Sequence, residues 1–256
     1  MYAQLPRPTI FAHRGASVHA PENTLSAFQL GLQQGADAIE LDAKLSADGV
    51  VVVIHDATVD RTTDGNGAVK KLSLEAIKEL DAGSFFDHAF HGERIPTLGE
   101  VFEAIGKLTF INIELTNYTS PYDALPEKVA EQVIKHNLQE RVLFSSFNPS
   151  ILCRIHRLLP SVPIGLLAFS GKLGALARSW LGYALCRYQA LHPNSGDVTP
   201  GLVERLHRFG QRIHPYTVNH PKEMDRLFNL DVDGIFTDDP ALAHQVLART
   251  NLKAKQ

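Results

Sequence analysis

The chain is short of cysteine, of net positive charge and of long apolar runs, and each shortage removes a class of function. Cys153 and Cys186 are the only cysteines among 256 residues, and both lie in apolar stretches. Such a pair reads as buried free thiols, not as a disulfide framework, and points to a reducing, cytoplasmic compartment. The formal net charge is −3, and no run of Lys and Arg forms a stripe that would track a phosphate backbone. A nucleic-acid partner is therefore excluded. The opening MYAQLPRPTIFAHRG lacks the apolar core of a signal peptide, so no leader is expected. Residues 162–186 are apolar-rich, but Lys172, Arg178 and several glycines interrupt them, so no integral membrane segment is expected. Internal repeats and low-complexity tracts are missing. Ser145 and Ser146 are not framed by the G-x-S-x-G elbow of a serine hydrolase.

What is present is a large apolar fraction, 44%, and twelve histidines. The length suits a single domain of residues 1–256, since α/β barrels of about 250 residues are routine. Short β-branched runs at 9–13, 38–42, 110–115, 142–147, 164–168, 189–192, 214–219 and 234–237 alternate with helix-like segments at 21–34, 122–136, 149–158, 199–209 and 221–228. That alternation is the mark of a parallel sheet wrapped by helices, and eight staves predict a closed (β/α)8 TIM-type barrel. A further apolar run, 50–55, follows the second stave after only Ser46-Ala47-Asp48-Gly49. A parallel neighbour needs a crossover of about a dozen residues. The run must instead fold back as a hairpin, for which Asp48-Gly49 is a strong type I′ signal. The stretch from 57 to 96 is too long for an ordinary loop and reads as a small insertion over the C-terminal end of the barrel. Thr97 and Glu100 form a capping box that opens the next helix.

Alternation along the second stave, Ala38-Ile39-Glu40-Leu41-Asp42, puts Glu40 and Asp42 on one face and the apolar residues on the other. The outer face of a barrel packs on helices, so the acids point inward. The third stave repeats the pattern with Asn112 and Glu114. Three acids converging near the carboxyl ends of neighbouring strands need a compensating charge, and oxygen ligands favour Mg²⁺ or Ca²⁺. A two-residue hairpin turn would set His55 opposite Asp42 and bring it beside the cluster. His13 and Arg14 end the first stave at the same rim, where an imidazole can move protons and a guanidinium can bind phosphate oxygens bidentately. His192 and Asn219, at the ends of the sixth and seventh staves, are candidate substrate contacts. Phe85, Phe86 and Phe90 read either as an apolar wall over the site or as the core of the insertion.

In order along the chain stand HRGA at 13–16, PENT at 21–24, IELD at 39–42, DG at 48–49, HD at 55–56 and DRTT at 60–63. They are followed by IPTL at 95–98, NIEL at 112–115, SSF at 145–147, TVN at 217–219 and GIFTD at 234–238. Together these pieces resemble the glycerophosphodiester phosphodiesterase family, and the match covers nearly the whole chain. The resemblance implies a distorted (β/α)8 barrel with Glu40, Asp42 and Glu114 as metal ligands, His13 and His55 as the acid/base pair and Arg14 as a phosphate contact. The implied substrate is a small glycerophosphodiester, cleaved to glycerol 3-phosphate and an alcohol. Two positions depart from the family pattern: Thr116 stands where many members have Lys, and Tyr216 where Trp is frequent. Two rival readings remain: a phospholipase C- or D-like lipid phosphodiesterase, and a non-catalytic phosphate-binding barrel. The sequence assigns neither headgroup nor oligomeric state.

Overall fold

The computed structural model describes residues 2–118 and 120–253. Strand β1 (Thr9–His13) lies between β2 (Ala38–Leu45) and β9 (Gly234–Thr237), with a short antiparallel β3 (Val51–Val53) on β2. From β2 the parallel sheet runs through β4 (Phe110–Leu115), β5 (Val142–Ser146), β6 (Ile164–Ala168), β7 (Ala190–Pro193) and β8 (Arg212–Ile213). The ring then closes by backbone bonds. Asp233 N–H donates to Ile213 O at 3.1 Å, Phe236 to Pro215 O at 2.9 Å and Val218 to Phe236 O at 2.8 Å. The seventh stave, expected at 214–219, is therefore not regular strand; only Arg212–Ile213 is. Pro215 has no N–H to give a ladder, and Tyr216 N–H turns instead to Pro193 O at 3.0 Å. With helices on its outside, the molecule is a (β/α)8 TIM-type barrel.

The two faces of each strand divide the core. Ile10, Ile39, Leu41, Ile111 and Ile113 point outward, in one cluster with helix residues such as Val101, Val129 and Ile155. Phe11, Ala38, Phe110, Leu143 and Phe236 point inward and fill the barrel. Fully burying each large aliphatic or aromatic chain contributes roughly 1.5–3 kcal/mol. Helix α1 (Leu25–Gln33) is capped by Thr24, whose side chain accepts from Ala27 N–H. It starts later than expected because residues 21–23 form a turn, with Asn23 left-handed at φ 59°. After α2 (Leu74–Lys78) comes α3 (Leu98–Ile105), which has the full Thr97–Glu100 capping box. Then follow α4 (Leu125–Lys135), α5 (Pro149–Leu158), α6 (Trp180–Cys186), α7 (Pro200–Arg208), α8 (Pro221–Asn229) and α9 (Pro240–Lys253).

The hairpin is real, but its register differs by one residue from the two-residue turn. Ala43 pairs with Val53, Lys44 with Val52 and Leu45 with Val51. Ser46 N–H donates to Val50 O at 3.0 Å, so Ala47, Asp48 and Gly49 form a three-residue loop, and Gly49 takes φ 76°. A type I turn followed by a left-handed residue gives this loop. Ile54, not His55, therefore meets Asp42, through a 3.0 Å bond from Ile54 N–H to Asp42 O.

Residues 57–96 pack around a separate small core of Val59, Val69, Ile77, Ala82 and Ile95, joined by Val52 and Ile54 of the hairpin. Phe85, Phe86 and Phe90 belong neither to that core nor to the wall of the cavity that His13 and His55 line. Phe85 and Phe86 are exposed, and the three rings touch only in succession. Both cysteines are free, Cys186 buried but Cys153 only half-buried.

Candidate active site

Parallel register stacks the inward residues in layers at the carboxyl ends of the strands. His13 pairs with Glu40, Glu40 with Asn112, and Asp42 with Glu114. Ligand oxygens of Glu40, Asp42 and Glu114 all lie within 4.8 Å of one another. The carboxyl groups destabilise each other. Burial, then the charges of Asp42 and Glu114, push Glu40 well above the usual carboxylate range. Burial and Asp42 raise Glu114 to about 8, even though Tyr118 Oη donates to its Oε1 at 2.6 Å. Asp42 is the low member of the set. Burial raises it, but Arg14, His55 and a 2.9 Å bond from Asn23 Nδ2 outweigh that effect.

This donor set fits a hard divalent cation. All three ligand types are oxygen, the carboxylates share one small volume, and Glu40 Oε1 is buried without a hydrogen-bond partner. An ion there would satisfy that oxygen and offset the repulsion that raises Glu40 and Glu114.

Arg14 and Gly15 follow β1 in consecutive left-handed conformations, at φ 57° and 87°. Gly15 is required, because a Cβ there would lie 2.5 Å from the backbone of Ala27 in α1. The turn aims Arg14 N–H at Glu40 Oε2, 2.9 Å away. The guanidinium is already engaged, with Nη1 on Glu22 at 2.9 Å and Nε facing Asp42 at 3.3 Å. Nη2 and the second N–H of Nη1 take no part in these two contacts.

His13 and His55 line one cavity of about 190 Å³ together with Arg14, Glu40 and Glu114. Each imidazole is held at Nδ1 by a carboxylate, His13 by Asp238 at 2.6 Å and His55 by Asp56 at 2.7 Å. His55 thus reaches the site, although the hairpin register that pointed to it is off by one. Asp56 is in turn clamped by Arg61, which also grips Glu22 through two bonds of 2.7 and 2.8 Å. The chain of contacts Asp42–Arg14–Glu22–Arg61–Asp56–His55 therefore ties the insertion to the rim of β1.

His192 lines the cavity floor and is fully buried against His214, whose Nδ1 lies 3.4 Å from its Nε2. Burial lowers it to about 3, so it is neutral at physiological pH. Asn219 is not among the residues that line this cavity. Its Oδ1 accepts from Asp238 N–H at 2.9 Å and its Nδ2 donates to Asp238 Oδ2, so the amide supports the carboxylate behind His13. Thr116, where many family members carry Lys, meets a cation from another strand. Lys44 Nζ donates to Thr116 O at 2.8 Å and to Thr116 Oγ1 at 2.9 Å, and its charge bears on both Asp42 and Glu114.

Asp238, Asp56, Glu22, Arg61 and Lys44 were not singled out from the sequence. Four of them stand in the quoted pieces GIFTD, HD, PENT and DRTT, which marked the positions without revealing the partners. A larger cavity of about 990 Å³ is lined by Tyr2, Asn137, Arg141 and Pro160, away from the acid cluster, and no histidine lines it.

Barrel and cavity together define a (β/α)8 protein with an acid cluster, histidines and an arginine crowded at the carboxyl ends of β1, β2 and β4. The chain belongs to the Glycerophosphoryl diester phosphodiesterase family, which it matches over residues 13–242. It is 45% identical to a glycerophosphodiester phosphodiesterase of Caldanaerobacter subterraneus subsp. tengcongensis over 232 residues, 90% of this chain and 94% of that protein. Among solved structures it resembles an Oleispira antarctica phosphodiesterase in complex with the product sn-glycerol-3-phosphate. The TM-score is 0.87 at 30% identity, covering 96% of this chain and 98% of that one. A glycerophosphodiester phosphodiesterase from Agrobacterium tumefaciens gives a TM-score of 0.82 at 33% identity, covering 93% and 99%.

Proposed function

We propose that the protein hydrolyses glycerophosphodiesters to glycerol 3-phosphate and an alcohol, using a divalent cation, Mg²⁺ or Ca²⁺, and a pair of histidines. The observation that carries this reading is the three-acid cluster, within 4.8 Å, in one cavity with two carboxylate-held imidazoles. Glu40, Asp42 and Glu114 would hold the ion. When bound, it would supply stabilisation of the negative charge that grows on the phosphoryl oxygens. Arg14 adds a positive charge at the same rim and offers Nη2 to a phosphate oxygen.

The rest of the work falls to the imidazoles. A carboxylate on Nδ1 fixes the tautomer with the proton there, which leaves Nε2 as the group that exchanges protons. One histidine takes a proton from the nucleophile, a water or the neighbouring glycerol hydroxyl, as its oxygen bonds to phosphorus; the hydroxyl route gives a cyclic phosphate that a water must then open to glycerol 3-phosphate. The other gives a proton to the alcohol oxygen as the P–O bond breaks. Each transfer contributes about 10²–10⁴-fold. His192, neutral and buried, contributes shape and one unpartnered ring nitrogen to the floor, where it meets the substrate uncharged.

In this reading the whole chain acts as one phosphodiesterase unit, with residues 57–96 over the C-terminal end of the barrel, as the Arg61 clamp favours. Two free cysteines suit a reducing cytoplasm. No described helix is long and apolar enough to cross a membrane. A coupled glycerol 3-phosphate assay tests the proposal across choline, ethanolamine, glycerol, serine and inositol esters, with Mg²⁺, Ca²⁺ or a chelator. Glycerol 3-phosphate release that stops on chelation is the expected result. No release from any ester with either metal would refute it.

A further inference from the structure

Between β6 and the end of α6 the chain holds a concentration of exposed apolar side chains. Phe169 is 52% exposed, Leu173 84% and Trp180 70%, and Leu176, Leu181 and Leu185 are also in solvent. These six exposed large apolar residues, within seventeen positions of one segment, are denser than the singly scattered ones that need no explanation. The segment is not slack. Arg178 donates to Phe169 O at 2.8 Å, to Gly171 O at 2.6 Å and to Asp197 at 2.9 Å. Gly174 approaches Phe169 O so closely that a Cβ would lie 1.8 Å from it. Polar groups thus fasten the connection from within and hold its apolar side chains outward.

Charge says what the surface meets. The protein carries a net charge of −3, yet no Asp or Glu occurs anywhere from Arg141 to Gly196, while Arg141, Arg154, Arg157, Lys172, Arg178 and Arg187 do. Arg154 and Arg178 are paired with Glu127 and Asp197. Lys172 and Arg187, beside the exposed apolar side chains, form no ion pair among the described residues. Apolar side chains, a tryptophan and cations without acids form the pattern of a segment lying in an anionic lipid interface. A second copy of the chain fits less well, because a two-fold contact would set this cationic face against itself. The face also leads to the catalytic cavity. The ring of Phe169 stacks at 4.3 Å on Phe147, which lines that cavity.

We propose that the connection from β6 through α6 docks the protein on an anionic lipid surface, with the cavity opening beside the contact. Leucines and Trp180 enter the interface, and Lys172 and Arg187 meet the negative headgroups. The proposal goes beyond the phosphodiester reading and does not depend on it.

Trp180 is the one tryptophan of the chain, so its emission reports this face alone. The full protein is titrated with phosphatidylcholine vesicles and with vesicles containing phosphatidylglycerol, with co-sedimentation in parallel. Expected are a blue shift and co-sedimentation with the anionic vesicles only, weakened by salt. The double variant L173E/L176E should bind at least tenfold more weakly, with an unchanged far-UV spectrum and unchanged turnover of soluble glycerophosphocholine. Absence of any shift or co-sedimentation with anionic vesicles would overturn the proposal. So would equal binding to phosphatidylcholine alone, or a lipid-free shift that grows with protein concentration, the sign of a second copy. Vesicle binding without turnover of any soluble ester would sink the hydrolase reading and leave the docking face standing.

Discussion

Nδ1 of His13 stands 2.6 Å from Oδ1 of Asp238, so the histidine that ends the first strand is held by the residue that follows the last. Sequence separates them by almost the full barrel, and the closure of the ring brings them together. If the carboxylate fixes the working tautomer, Asp238→Asn should lower kcat on the order of 10²-fold with little change in KM. His13→Ala and His55→Ala should lose about 10²–10⁴-fold each with the fold intact by circular dichroism. Wild-type kcat in Asp238→Asn would show that the contact is only structural.

Arg61 joins two carboxylates from different segments, and its hydrogen bonds are the chief reason that Asp56 lies far below the usual carboxylate range. A depressed folded-state value means that the contribution of Asp56 is full at neutral pH and is lost as acid protonates it. Arg61→Gln should therefore move the midpoint of acid unfolding to higher pH and reduce kcat about tenfold. Arg61→Lys should recover little of either, since an ammonium cannot grip two carboxylates in a planar fork. An acid titration followed by circular dichroism that is superimposable on wild type would contradict this.

Repulsion within the acid cluster makes metal binding visible in stability. Saturating Mg²⁺ or Ca²⁺ should raise the melting temperature, by about 2.7 kcal/mol of stabilisation at a hundred times Kd. Glu114→Gln removes one of the repelling carboxyl groups, so the metal-free protein should be no less stable. The rise on adding metal should shrink or vanish. A full metal-induced shift in that variant would remove Glu114 from the ligand set.

Lys44 reaches from β2 to Thr116 at the end of β4 and supplies a positive charge close to Asp42 and Glu114. Lys44→Met should depress kcat/KM about tenfold. Adding Thr116→Lys to it should restore most of the loss, because the cation returns from the neighbouring strand. Failure of the double variant to recover, with the fold intact, would mean that Lys44 serves packing and not charge.

How far the sequence carried depended on whether a feature is local. Strands β1, β4, β6 and β9 are legible residue for residue, because period-two alternation between helices and a filled interior leaves little freedom. The inward set of Glu40, Asp42 and Glu114 follows from the same alternation. The hairpin register did not follow, since Asp-Gly serves a three-residue loop with Gly49 left-handed as readily as a two-residue one. Pro215 ended the eighth strand early for want of an N–H. The network through Glu22, Arg61 and Asp56, and the support of Asp238 by Asn219, lie in contacts between segments far apart in the chain. Their residues stood in recognisable pieces, but pairing is a property of the folded ring.

The hairpin that departs from the barrel has one further consequence. Its strand β3 would present a bare row of backbone groups, yet Val52 bridges to Thr97 and Val53 N–H bonds Pro96 O at 2.9 Å. With the ring shut and that flank occupied by residues 96 and 97, a stray chain has little to zip onto in the native state. Self-association through strand pairing should therefore be confined to the interval before the last strand docks. Slow refolding at high concentration is where losses to precipitation would be met.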